Sequence, residues 1–250
     1  MASKQVDGAS YKRGPKVKIK AAFIAVSAAA LLAACGQPTT GTETTTTAAA
    51  TAPVELKAPA GVYVLDPTHA SLQASVLHNS ISNYTVRFNK IESKVTLDTA
   101  NLENSSVEFS VDPASVDANF PGDYAGTHAN SGFKSWNEDI AFSPSNLNAR
   151  QFGQMTFKST KVTKTGERTA DVTGDLTFLG VTKPVTFKAT FNGEIESHPF
   201  MQVPAIGFAA EGNFKRTDFG MALGYVGDEV TVRFDGEFLK QADAAPAAAQ

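Results

Sequence analysis

Val230-Thr231-Val232-Arg233-Phe234-Asp235-Gly236-Glu237-Phe238 alternates apolar or small residues with polar ones without a break. Successive side chains of an extended chain point to opposite faces, so a period of two predicts a strand with one face inside and one in water. The pattern recurs upstream: Val107, Phe109 and Val111; Val185, Phe187, Ala189 and Phe191; Ile206, Phe208, Ala210, Gly212 and Phe214. Turn-forming residues punctuate these runs at Asp112-Pro113, Gly166, Asn192-Gly193 and Gly227-Asp228. Thr182-Lys183-Pro184 reads as a turn too, because proline has no N–H to give a central strand. Strands at this spacing predict an all-β antiparallel sandwich or closed barrel. They fill one domain, residues 61–240, of ordinary single-core size.

One region breaks the period. Residues 119–151 carry Pro121, Gly122, Gly126, Gly132 and Pro144 together with Phe120, Tyr124, Phe133, Trp136 and Phe142. A connection of this length is uncommon in a compact domain. A short helix is expected within Ser131–Phe142. The aromatic residues either plug one end of the barrel or cap a binding site.

Ahead of the domain, a basic stretch (Lys12, Arg13, Lys16, Lys18, Lys20) precedes an apolar run from Ala21 to Ala34. Basic first, apolar second and small residues last is the layout of a secretory signal peptide, assigned here to residues 1–34. The run is shorter than the ~20 residues that span a bilayer. It closes on Leu32-Ala33-Ala34-Cys35, which is similar to the bacterial lipobox. That likeness makes Cys35, the only cysteine of the chain, the expected lipidation site and the mature N-terminus. Residues 35–60 are Thr- and Ala-rich and are expected to form a disordered tether, with a second disordered tail at 241–250. Removing the six basic residues and one acidic residue of 1–34 from the 22 and 25 of the whole chain leaves 16 against 24, net −8. Such a balance disfavours nucleic acid as a partner.

The stretch from Gly174 to Val185, Gly-Asp-Leu-Thr-Phe-Leu-Gly-Val-Thr-Lys-Pro-Val, resembles a signature of the YceI-like family. Gly212-Asn213-Phe214-Lys215-Arg216-Thr217-Asp218-Phe219-Gly220-Met221, then Gly227-Asp228-Glu229-Val230, resembles another. Tyr63-Val64-Leu65-Asp66-Pro67-Thr68-His69, with His78 further on, is similar to the family opening, and Phe157-Lys158-Ser159-Thr160 to its central strand. The resemblance covers nearly all of residues 61–240. It implies a lipocalin-like barrel of about eight strands, a size whose interior can hold one ligand. It further implies a secreted or periplasmic binder of long isoprenoids or amphiphiles, generally without a demonstrated reaction. In the long connection Thr127-His128-Ala129-Asn130 and the Trp136 segment depart from the commoner family pattern.

Candidate ligand contacts follow from the apolar strand faces and the polar residues beside them: Phe88, Phe109, Phe157, Phe178, Phe187, Phe208 and Phe234 on strands, Phe133 and Trp136 in the long connection, and His78, Arg216 and Asp218. The apolar faces serve either as packed core or as a cavity wall, and alternation does not separate the two. Small residues at Ala189, Ala210, Gly212 and Gly236 would leave room, although a glycine also serves at a bulge or barrel corner. Arg216 suits a phosphate head group through its planar fork, or pairs with Asp218 at a rim. His78 either meets a head group or packs. The four histidines have neither His-x-His nor His-Glu-x-x-His spacing, and no Gly-x-Ser-x-Gly elbow or nucleotide-cradling loop occurs. No catalytic residue, metal or cofactor is assigned, a bound quinone-like lipid aside.

The expectation is a lipid-anchored binding protein at the periplasmic face of the outer membrane, holding a long isoprenoid or amphiphilic lipid for carriage, storage or sequestration. The alternative is a solid barrel acting through its 119–151 surface as a structural or interaction lipoprotein. Homo-oligomerisation is left open.

Overall fold

The computed structural model describes residues 56–242. Cys35, residues 1–34, most of the 35–60 segment and most of the 241–250 tail lie outside them.

Ten strands run in chain order: β1 (Gly61–His78), β2 (Ser82–Phe88), β3 (Ile91–Leu97), β4 (Ser106–Val111), β5 (Val116–Asp117), β6 (Met155–Lys164), β7 (Thr169–Phe178), β8 (Val181–Ile195), β9 (Ala205–Lys215) and β10 (Val226–Lys240) among the described residues. All pairings are antiparallel, and β10 also pairs with β1, which closes the sheet. The long β1 meets β2 along Leu72–His78 and β3 along Gly61–Val64. Thus β2 and β3 are two halves of one strand, interrupted at Asn89-Lys90. β4 and β5 are likewise halves, pairing with β3 and β2 respectively. Counted this way, eight strands follow one another up and down around a closed barrel. The expected all-β antiparallel barrel of about eight strands is therefore the fold.

Closure of eight strands leaves two ends. At the crown lie the β1–β2 turn, the β5–β6 connection, the β7–β8 turn and the β9–β10 connection. At the base the chain enters β1, and the β3–β4, β6–β7 and β8–β9 connections turn. The crown connection carries three short helices: α1 (Tyr124–Thr127), α2 (Trp136–Phe142) and α3 (Ala149–Phe152). The expected helix is α2. Ser135 caps it by accepting from the Glu138 N–H at 3.2 Å, and Glu138 accepts from the Lys134 N–H at 2.9 Å. The first bond satisfies an N–H that a helix start leaves without an internal partner, and the second ties down the residue ahead of the cap. α2 buries Ala141 against the main core, with Ile140, Phe142 and Leu147 beside it.

Three sequence-predicted turns are not turns. Asn192-Gly193 is a bulge within β8, where the register against β9 shifts between Phe191 and Gly193. Gly227-Asp228 lies inside β10. Pro184 lies inside β8 opposite Asp175. The β7–β8 turn falls earlier, at Leu179 and Gly180, whose φ values of 50° and 74° make the tight mirror-image turn that suits strand twist. Counting from that turn, Pro184 falls at a position whose N–H would point away from β7. The β9 ladder begins only at Lys188, so no hydrogen bond is lost.

Candidate functional site

Alternation sends every second side chain of each strand into the barrel, yet many of these remain only half-buried. Val86, Val107, Phe109, Phe187, Ala189, Ala210, Val232 and Phe234 all have this intermediate exposure. They face a cavity of about 470 Å³, within the range of small-molecule sites. The barrel is hollow. Its wall is almost wholly apolar, and its rings meet edge to face: Phe109 with Phe234 and Phe157 with Phe187, each at 5.2 Å between centroids.

Glycines shape the wall in an unexpected way. At Gly212 a Cβ would meet the Phe187 ring at 2.5 Å, at Gly236 the Phe234 ring at 2.7 Å, and at Gly174 the Phe157 ring at 2.6 Å. Each glycine is overlaid by a phenylalanine that lies back along the sheet. The expectation that Gly212 and Gly236 open space directly is corrected: they are covered, and the room comes from rings held close to the wall. Ala189 and Ala210, paired across β8 and β9, line the cavity without such cover.

At the crown the lining turns polar. Arg216 is 6 % exposed and lines the cavity. Its guanidinium donates to the carbonyl oxygens of Gly227 (2.8 Å from Nε) and Val226 (2.7 Å from Nη2). No carboxylate forms an ion pair with it among the described residues, since Asp228 instead accepts from Thr217. The expected Arg216–Asp218 pair does not form, and Asp218 is exposed on the 3₁₀ turn Arg216–Phe219. Tyr84 also lines the cavity, with its hydroxyl buried and without a hydrogen-bond partner. Burial raises its pKa, with the nearby Asp139 charge adding to the effect. The Tyr84 hydroxyl therefore stays protonated, a donor at neutral pH. Ile140 and Leu147 close over this end. At the base, exposed Lys164, Glu167 and Arg168 border the cavity, and Arg168 sits 5.0 Å over the Phe191 ring.

The structure brings Phe88, Phe109, Phe157, Phe178, Phe187, Phe208, Phe234 and Arg216 to the cavity. It places His78, Phe133, Trp136 and Asp218 outside the lining. His78 lies at the crown, its ring 6.4 Å from that of Tyr84. Trp136 belongs to a separate aromatic cluster with Phe120 (5.1 Å), Tyr124 (4.9 Å) and His128 (4.4 Å). The long connection thus covers the crown with Ile140 and Leu147, while Phe120, Tyr124, His128 and Trp136 pack on one another and Phe142 packs on the core. Sequence reasoning missed Tyr84. The alternation Tyr84-Thr85-Val86-Arg87-Phe88 carried the signal, since it aims Tyr84 to the same side as Phe88.

The profile of the YceI-like domain family matches residues 63–238. A UPF0312 protein of Pseudomonas fluorescens is 38 % identical over 153 residues, 61 % of this chain and 71 % of the relative. A UPF0312 protein of Shewanella denitrificans is 34 % identical over 175 residues, 69 % of this chain and 83 % of the relative. Among solved structures, BcnA of Burkholderia cenocepacia superposes with a TM-score of 0.56 at 22 % identity, over 69 % of this chain and 98 % of that one. The YCEI protein of Campylobacter jejuni gives 0.52 at 22 % identity, over 65 % and 88 %. These two likenesses are of fold.

Proposed function

The chain belongs to the YceI-like family, and on that premise we propose that its barrel binds a long-chain isoprenoid or another amphiphilic lipid, the chain inside and the head at the crown. The observation that carries this reading is the hollow apolar interior. Each buried methylene contributes ~0.8 kcal/mol. A chain of several isoprene units can thus offset the ~4–15 kcal/mol cost of association without any charged contact. Arg216 and the unpartnered Tyr84 hydroxyl offer donors at one end, which suits a head group rich in acceptors, such as a phosphate or a quinone oxygen. Neither is placed against a base or nucleophile, so the reading is of binding, for carriage, storage or sequestration, without turnover.

Lipid on Cys35 would hold this barrel at a bacterial membrane, on the periplasmic face of the outer membrane. Two acyl chains or more give stable attachment. The hollow interior weighs against the rival reading of a solid barrel acting only through its 119–151 surface.

Native mass spectrometry of the protein made in its own host, paired with lipid extraction, tests the cavity. A stoichiometric lipid released on unfolding is expected. Protein that is lipid-free at the cavity, and that takes up no isoprenol in vitro, refutes the reading. Fatty-acid labelling tests the anchor: a Cys35→Ser chain that still incorporates label removes it.

A further inference from the structure

Three crown segments carry no Asp, Glu, Lys or Arg: residues 79–84, 118–122 and 219–227. In a chain whose part beyond residue 34 is acidic, that is a local reversal of character. From the same segments large apolar side chains stand out into solvent: Ile81 is 83 % exposed, Tyr225 84 %, Leu223 60 % and Phe120 48 %. The segments adjoin. The Asn79 N–H donates to the Tyr225 carbonyl at 2.9 Å, His78 pairs with Val226, and the Phe120 ring lies 6.3 Å from that of Tyr84. Met221, Val226 and Tyr84, from two of these segments, also line the cavity. The patch is therefore the outer lip of the end at which Tyr84 and Arg216 sit.

We propose that this lip docks on the surface of a phospholipid bilayer and is the face through which the barrel exchanges its lipid. The proposal rests on the cavity reading above for its purpose, though not for its geometry. A bilayer is the occupant that fits. The four protruding side chains stand on three separate connections, Leu223 and Tyr225 sharing one, which suits insertion between headgroups rather than contact through one flat face. Tyrosine at a tip matches the interfacial preference of a ring with one apolar and one wet end. Asp123, Asp218 and Asp228 adjoin the lip, with exposed Lys215 and buried Arg216 beside Asp228, so the flanking charges carry no excess of cations for anionic lipid and apolar insertion must drive docking. The Lys57 and Ala58 N–H groups donate to Glu194 at the base, and the residues from 36 to 55 ahead of them can reach up to ~70 Å if extended. An anchor at Cys35 therefore leaves the crown free to face the same membrane, although Gly61 enters at the base.

The base offers a competing patch, Phe200 at 86 % and Met201 at 58 % exposure, and the test separates the two. Residues 36–250, which carry neither the apolar 21–34 run nor the acylated cysteine, are mixed with phosphatidylcholine vesicles doped with dansyl-phosphatidylethanolamine. Trp136, the only tryptophan of the chain, packs on Phe120 beneath the lip and serves as energy-transfer donor, so transfer reports docking by the crown. Co-flotation reports binding by either end. We expect flotation with energy transfer, undiminished by added salt. Ile81→Ser/Leu223→Ser/Tyr225→Ser should weaken flotation at least ~tenfold, given the apolar area removed. Phe200→Ser/Met201→Ser should change nothing. Farnesol binding in solution keeps the two readings apart. A lip variant that binds farnesol normally and has lost the vesicles supports docking. Wild-type protein that docks but ignores farnesol loses the cavity and keeps the docking face. Docking is overturned if the wild type does not float, if the lip variant floats as well as the wild type, or if only the Phe200/Met201 variant fails.

Discussion

Filling the lumen should weaken lipid binding without weakening the fold. Ala210 lines the cavity between Ala189 on β8 and Phe234 on β10. Ala210→Phe places a ring in open space. A phenylalanine buries ~150–250 Å², and with about half of that turned to an occupant, ~100 Å² of apolar contact is lost. At ~25 cal/mol per Å² the loss is ~2.5 kcal/mol, or about 70-fold in Kd. The fold should respond in the opposite sense, because a ring entering a void gains contacts and displaces nothing. Farnesol titration and thermal unfolding of the same sample measure both quantities. Unchanged affinity would put the occupant elsewhere. A drop in Tm corresponding to ~1–3 kcal/mol, the usual effect of overpacking, would mean that the interior is filled and the hollow-barrel argument wrong.

Other changes probe other parts of the molecule. Tyr84→Phe removes a buried, unpartnered hydroxyl; stability should hold or rise while an isoprenol binds several-fold more weakly and the corresponding hydrocarbon is unaffected. Equal effects on both ligands would show that the hydroxyl meets no head group. Asp66 is 12 % exposed in its side chain, and although burial pushes its carboxyl up, hydrogen bonds from Thr68 and His69 outweigh this and bring it from 3.8 down to about 2. A carboxyl depressed on folding stabilises above its unfolded pKa and loses that contribution as pH falls through the folded value, here between about 4 and 2. Asp66→Asn should therefore cost ~2 kcal/mol at pH 6 in urea unfolding and almost nothing at pH 2; a cost independent of pH would refute the assignment. Gly174→Ala drives a Cβ into the Lys158 carbonyl and to 2.7 Å from the Ser159 Cα. A loss of ~1–3 kcal/mol or more is expected, since backbone cannot step aside as a side chain does, and an unchanged Tm would count against the register there.

Alternation made β4, β8, β9 and β10 legible because the apolar face repeats without error in each. It could not place Asn192-Gly193 or Pro184, because the same residues serve a turn or a bulge or an unpaired strand segment. What decides is whether a partner strand continues alongside, which is a long-range fact. The lining phenylalanines were legible for the same reason as the strands. Whether they filled the barrel was not, since that depends on rings laid over Gly174, Gly212 and Gly236 from other positions. Arg216 was visible as a polar candidate, but its partners, the carbonyls of Val226 and Gly227, lie across the β9–β10 connection and leave no side-chain signature. Trp136 and Phe133 misled because aromatic content says only that a segment packs, and not on what.

Three neighbouring strands are jointed at one height. β1 takes five steps from Leu65 to Ala70 while β10 takes two, from Phe238 to Gly236, around a turn in which Asp66 accepts from the Thr68 N–H. Beside it, β2 gives way to β3 at Asn89-Lys90, and β4 to β5 at Pro113–Ser115. Ser115 laces the crease, its carbonyl accepting from the Asn89 N–H and its hydroxyl from the Lys90 N–H. The β7–β8 and β9–β10 ladders run without any register shift. The barrel is thus jointed across three adjacent strands on one side, while the other side carries only single bulges, at Ser159–Lys161 in β6 and Phe191–Gly193 in β8. If the barrel takes up the lipid proposed above, the crease is where the wall has fewest continuous ladder bonds to break, so a thicker chain is expected to be met there first, with closure intact.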